Sequence, residues 1–162
     1  MSITYAPIGI IHSPFTELKG MPIQPTSESS AEGKLEIYSE FVNGLKDLEG
    51  FSHIYLIYHL HKAASAKLRL KPFLDHEVRG VFSTRAPRRP NSIGLSLVKI
   101  AYIEENFVYI EKIDILNNTP LLDIKPYIPE FEGINNVRVG WVKKAKGKVI
   151  TKKSDGRFLD RK

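Results

Sequence analysis

Residues 52–61 read SHIYLIYHLH, which places Ile54, Leu56, Tyr58 and Leu60 on one side of an extended chain and His53, Tyr55, Ile57, His59 and His61 on the other. Successive side chains of a strand point to opposite faces, so alternation at period two fits a sheet with one buried side. This stretch is one of a series. Residues 5–15 carry β-branched Ile8, Ile10 and Ile11 and end at Ser13-Pro14. Residues 34–38, 78–83, 96–102, 107–116 and 123–127 read as further strands, and Trp141 with its neighbouring valines as one more. A short helix is expected over residues 40–48, where Phe41, Leu45 and Leu48 fall at helical spacing. Residues 19–32, interrupted by Gly20, Pro22 and Pro25, form a loop, and residues 63–75 fit neither pattern. Many short strands with little helix predict a mainly β chain with minor α, built as a closed or nearly closed, mostly antiparallel β-barrel.

Composition narrows the setting. A chain of 162 residues, 42% of them hydrophobic, suits one domain with a sizeable core. No apolar run approaches the ~20 residues that span a bilayer, and the first residues, MSITY, lack the basic-then-apolar order of a secretion signal. The absence of cysteine removes disulfides and thiolate metal sites and makes a cytoplasmic location the expectation. The net charge of +6 is concentrated at one end: residues 143–162 hold nine Lys and Arg against two Asp, leaving the rest one unit negative. A barrel over residues 1–142 and a basic tail over 143–162 follow, the tail serving either to attract a polyanion or only to solubilise.

The stretch 80–97, GVFSTRAPRRPNSIGLSL, sets three arginines, two prolines and an asparagine between apolar runs. Proline fixes its own φ and biases the preceding residue toward extended geometry. Pro87 and Pro90 therefore stiffen the segment carrying Arg85, Arg88, Arg89 and Asn91. Planar guanidinium groups on a stiff loop suit an anionic ligand; a solvated connection is the plain alternative. Two further rigid polar segments are Met21-Pro-Ile-Gln-Pro25 and Asn117-Asn-Thr-Pro120, the second equally readable as a hairpin turn. Asp123, Lys125 and Tyr127 alternate and share a strand face, where they bind a polar substrate or pair with each other. His59 and His61, two apart, could share a metal with Asp75 or His76, but a polar barrel face is the better reading, and no metal is assigned. Glycine-rich dinucleotide and phosphate loops are missing, as is the serine elbow of hydrolases.

Four segments in order carry a resemblance: residues 7–15 (PIGIIHSPF), 48–54 (LEGFSHI), the arginine stretch, and 119–129 (TPLLDIKPYIP). Over residues 7–129 the chain resembles the TsaA-like, or TrmO, family of tRNA threonylcarbamoyladenosine methyltransferases. The resemblance implies a single-sheeted barrel that works as a homodimer and uses S-adenosylmethionine to methylate N6 of threonylcarbamoyl-adenosine at tRNA position 37, in the anticodon loop. It places cofactor contacts at Ile23, Gln24, Pro25, His61, Lys62, Arg85, Leu95, Asn117, Asn118, Thr119 and Pro120. The substrate's carboxylate and phosphates make Arg88 and Arg89 candidate substrate residues, with Asn91, Asp123, Lys125 and Tyr127 beside them. A proton must leave the urea-like N6 as it is methylated, and Asp123, Tyr127 or a backbone carbonyl are candidates to accept it; no catalytic residue is assigned. The chain departs from the family in having Asn117-Asn118 where Asp-Gly is usual, and in ending with a basic tail where some members carry another domain.

Overall fold

A computed structural model describes residues 1–23, 31–145 and 152–158. Six strands close a barrel: β1 (Gly9–His12), β2 (Glu32–Ile37), β3 (His53–His59), β6 (Ile93–Glu104), β7 (Phe107–Glu111) and β8 (Thr119–Pro126). Around the barrel the order is β1-β2-β7-β6-β3-β8, returning to β1, and every pair is antiparallel. Closure leaves the barrel itself without an unpaired edge. Two-residue strands β4 (Arg69–Leu70) and β5 (Arg79–Gly80) form a separate ribbon, and a four-residue helix α1 (Pro129–Glu132) follows the barrel.

The expected alternation holds along the central strand. Ile54, Leu56 and Tyr58 turn inward, where they join Ile11, Leu35, Val98, Ile110, Ile115 and Leu121 in a continuous core. β3 lies between β6 and β8, in register from His53 opposite Lys99 to His59 opposite Ile93. Gly94 of β6 lies directly against Tyr58, and a Cβ there would overlap the phenol ring. The absence of a side chain at Gly94 is therefore what lets Tyr58 lie inside the barrel end.

Several boundaries differ from the sequence reading, each for a local reason. Residues 40–48 are two 3₁₀ turns, Ser39–Leu45 and Leu48–Gly50, broken by Asp47 at φ 66°. The strand expected over 107–116 stops at Glu111 because Lys112 turns left-handed at φ 62°. The strand expected from Asp123 begins at Thr119, immediately after Asn118 at φ 60°. Residues 78–83 contribute only Arg79–Gly80 before a 3₁₀ turn, Val81–Ser83. Trp141 lies in a 3₁₀ turn, Gly140–Ala145, instead of a strand, and its indole N–H donates to the Ser83 carbonyl at 2.8 Å.

The segment read as a basic tail is partly built into the fold. Lys153 bridges Pro22, Ser154 N–H donates to Met21 O at 2.7 Å, Gly20 N–H donates to Ser154 O at 2.9 Å, and the Ser154 hydroxyl donates to Leu18 O. Phe158 is buried with Leu70, Val81 and Ala86 and stands edge-on to Phe73, with ring centroids 4.6 Å apart. Residues 152–158 thus clasp the loop after β1 to the β4–β5 ribbon.

Candidate functional site

One end of the barrel opens into a cavity of about 380 Å³, within the range of small-molecule sites. It is assembled from segments far apart in sequence: Ile23 of the loop after β1, His61 beyond β3, Arg85 of the arginine loop, Leu95 of β6, Thr119 opening β8, and Phe158 of the clasp. The stiffness expected of the arginine loop has a visible cause. Arg89 Nη1 donates to the carbonyls of Thr84 at 2.8 Å and Val81 at 3.2 Å, folding the loop around its own guanidinium. Thr84 Oγ1 donates back to Val81 O at 2.9 Å.

At β8, Thr119 Oγ1 donates to Leu116 O at 2.7 Å and lies 3.4 Å from His61 Nδ1. Burial, followed by the charges of Lys62 and His59, holds His61 below its ordinary pKa, which favours the neutral ring. The preceding turn faces elsewhere. Asn117 Oδ1 accepts from Ser13 N–H at 3.1 Å and its own N–H donates to Phe15 O at 2.7 Å, so the side chain braces the exit of β1. A carboxylate in place of that amide could accept the same bond.

A polar chain that the sequence reading passed over enters the inner wall. Tyr58 OH lies 3.0 Å from Ser96 Oγ, and Ser96 Oγ donates to Asp114 Oδ1 at 2.7 Å. Tyr58 and Asp114 both line the cavity. Burial pushes Asp114 up to about 6, against the opposing pull of the Ser96 bond, its own backbone N–H and Arg85. Burial, with Asp114 second, also raises Tyr58. Both residues sit in apolar surroundings typical of core positions, and Ser96 occupies an inward place in β6 where the pattern calls for an apolar side chain. That mismatch was the available sequence signal.

Of the expected contacts, Ile23, His61, Lys62, Arg85, Leu95 and Thr119 line the cavity together, and Arg89 joins them. Gln24 and Pro25 lie outside the described residues. Asn117, Asn118 and Pro120 are not on its wall, and Asn91 is an exposed loop residue. Arg88 is buried, with Nε donating to Ser65 O at 2.7 Å and Nη2 to Ser65 Oγ at 3.0 Å, and it lines a second cleft, beyond Phe158, instead of this cavity. It ties the loop to residue 65. Asp123 pairs with Lys125 at 2.8 Å, and Tyr127 packs edge-on to Tyr55; none of the three lines the cavity. Asp75 is taken by Arg79 at 2.7 Å, and no cluster of three potential metal ligands occurs among the described residues.

A second cleft, of about 430 Å³, lies on the far side of Phe158, which walls both. Lys67, Arg69 and Lys71 line it, all exposed and two residues apart, with Arg157 opposite. Arg157 is held by Asp155 at 2.7 Å and by Pro72 O at 2.6 Å. No helix among the described residues is long and apolar enough to cross a membrane.

Comparison with known proteins agrees with this architecture. A probable S-adenosyl-L-methionine-binding protein of Pyrococcus abyssi is 51% identical over 98% of this chain and 86% of its own length. An S-adenosyl-L-methionine-binding protein of Archaeoglobus fulgidus is 40% identical over 81% of this chain and 94% of its own. The human tRNA (adenine(37)-N6)-methyltransferase is 39% identical over 81% of this chain, which corresponds to only 31% of that enzyme. The crystal structure of TrmO from Pseudomonas aeruginosa superposes with a TM-score of 0.73 at 37% identity, covering 87% of this chain and 63% of that one. The model of the tRNA-methyltransferase O N-terminal domain matches residues 10–133, and the chain belongs to that family.

Proposed function

We propose that this chain is an S-adenosylmethionine-dependent methyltransferase that acts on N6 of an adenosine in tRNA, the threonylcarbamoyl-adenosine at position 37 of the anticodon loop. The observation that carries the reading is the convergence of Ile23, His61, Lys62, Arg85, Leu95 and Thr119, six residues from five separate segments, on one cavity. The names of the relatives support the cofactor and the reaction class.

The residues present fit such a cofactor. Apolar walls from Ile23, Leu95 and Leu116 suit a flat heterocycle, and Arg85 with Lys62 at the cavity offers partners to a carboxylate. When bound, the sulfonium centre supplies an electrophilic methyl group. The chain's own part is alignment: a loop wound around Arg89 and a barrel end fixed by the Tyr58–Ser96–Asp114 chain hold the reacting groups with little reorganisation. The acceptor base must be splayed out of its stack to enter a pocket of this kind, which favours a loop substrate over a duplex.

The cleft holding Lys67, Arg69 and Lys71 opens next to the cavity and supports an RNA partner. Alternate residues of an extended chain lie ~6.6 Å apart, comparable to the repeat of successive phosphates along an extended RNA strand. The exposed apolar side chains Phe82, Ile93 and Leu95 around the arginine loop and the start of β6 support a homodimer, and the absence of cysteine supports a cytoplasmic setting. Isothermal titration with S-adenosylmethionine, followed by methyl transfer to tRNA with and without the threonylcarbamoyl group, tests the reading. A protein that binds RNA but no S-adenosylmethionine is a non-catalytic RNA-binding barrel. Equal methylation of both RNAs removes the threonylcarbamoyl group from the recognition.

A further inference from the structure

We propose that Asp114 is the proton acceptor of the reaction, and that Ser96 and Tyr58 are positioning residues that hold its carboxylate at the cavity wall. The proposal rests on the methyltransferase reading above and goes beyond it by naming the base.

The hydrogen-bond order gives the direction. Ser96 has one hydroxyl proton and donates it to Asp114 Oδ1 at 2.7 Å. Its oxygen is then an acceptor, so the 3.0 Å contact with Tyr58 is a bond from the phenol to Ser96. Tyr58, Ser96 and Asp114 form a one-way chain in which every donor points toward the carboxylate. The Ser96 hydroxyl bonds to that carboxylate, and Arg85 acts on it electrostatically. Oδ1 is held by Ser96, and Asp114 is one of the residues that line the cavity.

A purely structural role would be served as well by an amide at position 114, since Asn also accepts from a serine hydroxyl. Keeping a carboxylate in an apolar wall costs desolvation that an amide avoids. Such a group is therefore suspect as a functional one. The charged and titratable groups that line the cavity with it are Tyr58 from β3, His61 and Lys62 beyond β3, Arg85 and Arg89 from the arginine loop, and Asp155 from the clasp; of these, Tyr58 and Arg85 act on it directly. Of these, Arg85 favours the ionised form that a base requires, and burial opposes it, leaving Asp114 at about 6. A base matched to neutral conditions has a pKa of that kind.

The step balances without any other reagent. The N6 lone pair forms the new N–CH₃ bond, the S–CH₃ bond breaks with its electron pair staying on sulfur, and the N6 proton passes to Asp114 Oδ. Proton loss to water restores the carboxylate.

The test compares wild type, Asp114→Asn and Ser96→Ala as full-length proteins. Wild-type kcat should fall below about pH 6. Asp114→Asn should lower kcat by about 10²–10⁴-fold and flatten that limb, with S-adenosylmethionine affinity by calorimetry within about twofold. Ser96→Ala removes a bond that favours the ionised carboxyl, so it should move the acid limb to higher pH. Infrared difference spectra of the proteins without cofactor or RNA supply an independent readout. A carboxyl band should titrate near pH 6 in wild type, vanish in Asp114→Asn and move upward in Ser96→Ala. If Asp114→Asn does not fold, Ser96→Ala carries the test alone. The assignment is overturned by wild-type kcat in Asp114→Asn, by an acid limb unmoved in Ser96→Ala, or by cofactor affinity falling as far as kcat. Wild-type protein that binds no S-adenosylmethionine overturns the methyltransferase reading itself, whereas those three results leave it standing.

Discussion

Asp114→Asn should make the protein more stable at neutral pH, and the gain should depend on pH. In the unfolded chain the carboxyl has its ordinary pKa of 3.8; in the fold, burial raises it to about 6. The folded state therefore holds the proton more tightly. Its contribution is fully present below about pH 4 and is lost as pH rises to about 6, with a plateau above. The separation of the two values corresponds to about 3 kcal/mol. Asparagine cannot ionise, so relative to strongly acidic pH the variant should gain about 3 kcal/mol on wild type by pH 8, most of it accruing between pH 4 and pH 8. For a chain of this size that is roughly 6–12 °C in Tm. Urea unfolding followed by circular dichroism at pH 4, 5, 6, 7 and 8 measures the difference. Subtracting wild type from variant at each pH cancels the other titrating groups. The slope m should be unchanged, because the surface exposed on unfolding is the same. A difference that stays constant from pH 4 to pH 8 would refute the premise that Asp114 ionises in a desolvated wall.

Arg88→Ala should lower stability by about 1–3 kcal/mol, because the Ser65 carbonyl and hydroxyl lose their buried partner; urea midpoints check this, and an unchanged midpoint with weakened RNA binding would make Arg88 a substrate residue and not a structural tie. Phe158→Ala should cost about 3–5 kcal/mol if the clasp is a true part of the core, and should weaken S-adenosylmethionine binding in calorimetry, since Phe158 walls the cavity. Replacing Lys67, Arg69 and Lys71 together by Gln should leave cofactor affinity alone while weakening tRNA binding and reducing its logarithmic salt slope by about 2, at ~0.7 per single-strand phosphate contact. Filter binding across a salt series would show it, and an unaltered slope would remove the cleft from the RNA path.

Much of the architecture was legible because strand periodicity is a local property. Ile54, Leu56 and Tyr58 alternate with outward residues, and that pattern requires a sheet with one covered face whatever its partners are. Chain ends of the strands were less legible. Lys112 and Asn118 adopt left-handed backbone, and the apolar run 107–116 continues through the first of them without any break in composition. The arginine loop was visible as a stiff cationic element, but the roles within it were not. Arg85, Arg88 and Arg89 are chemically identical, and their employment depends on which carbonyls lie within reach. Arg89 finds Thr84 and Val81, Arg88 finds Ser65, and Arg85 comes to the cavity.

The sequence alone therefore determined a β-barrel and the stiff, cationic character of the arginine loop, since each follows from side-chain alternation, proline geometry or charge within a few residues. Tertiary structure decided what closes the cavity and what chemistry its wall offers. Tyr58, Ser96 and Asp114 lie on three different segments, and their hydrogen bonds exist only once β3, β6 and the segment after β7 are brought together. Burial of Asp114 is a property of that assembly, and so is its raised pKa. The clasp of residues 152–158 reads as a charged end in one dimension; backbone bonds to Gly20 and Met21, 133 or more residues away, make it a wall of the site.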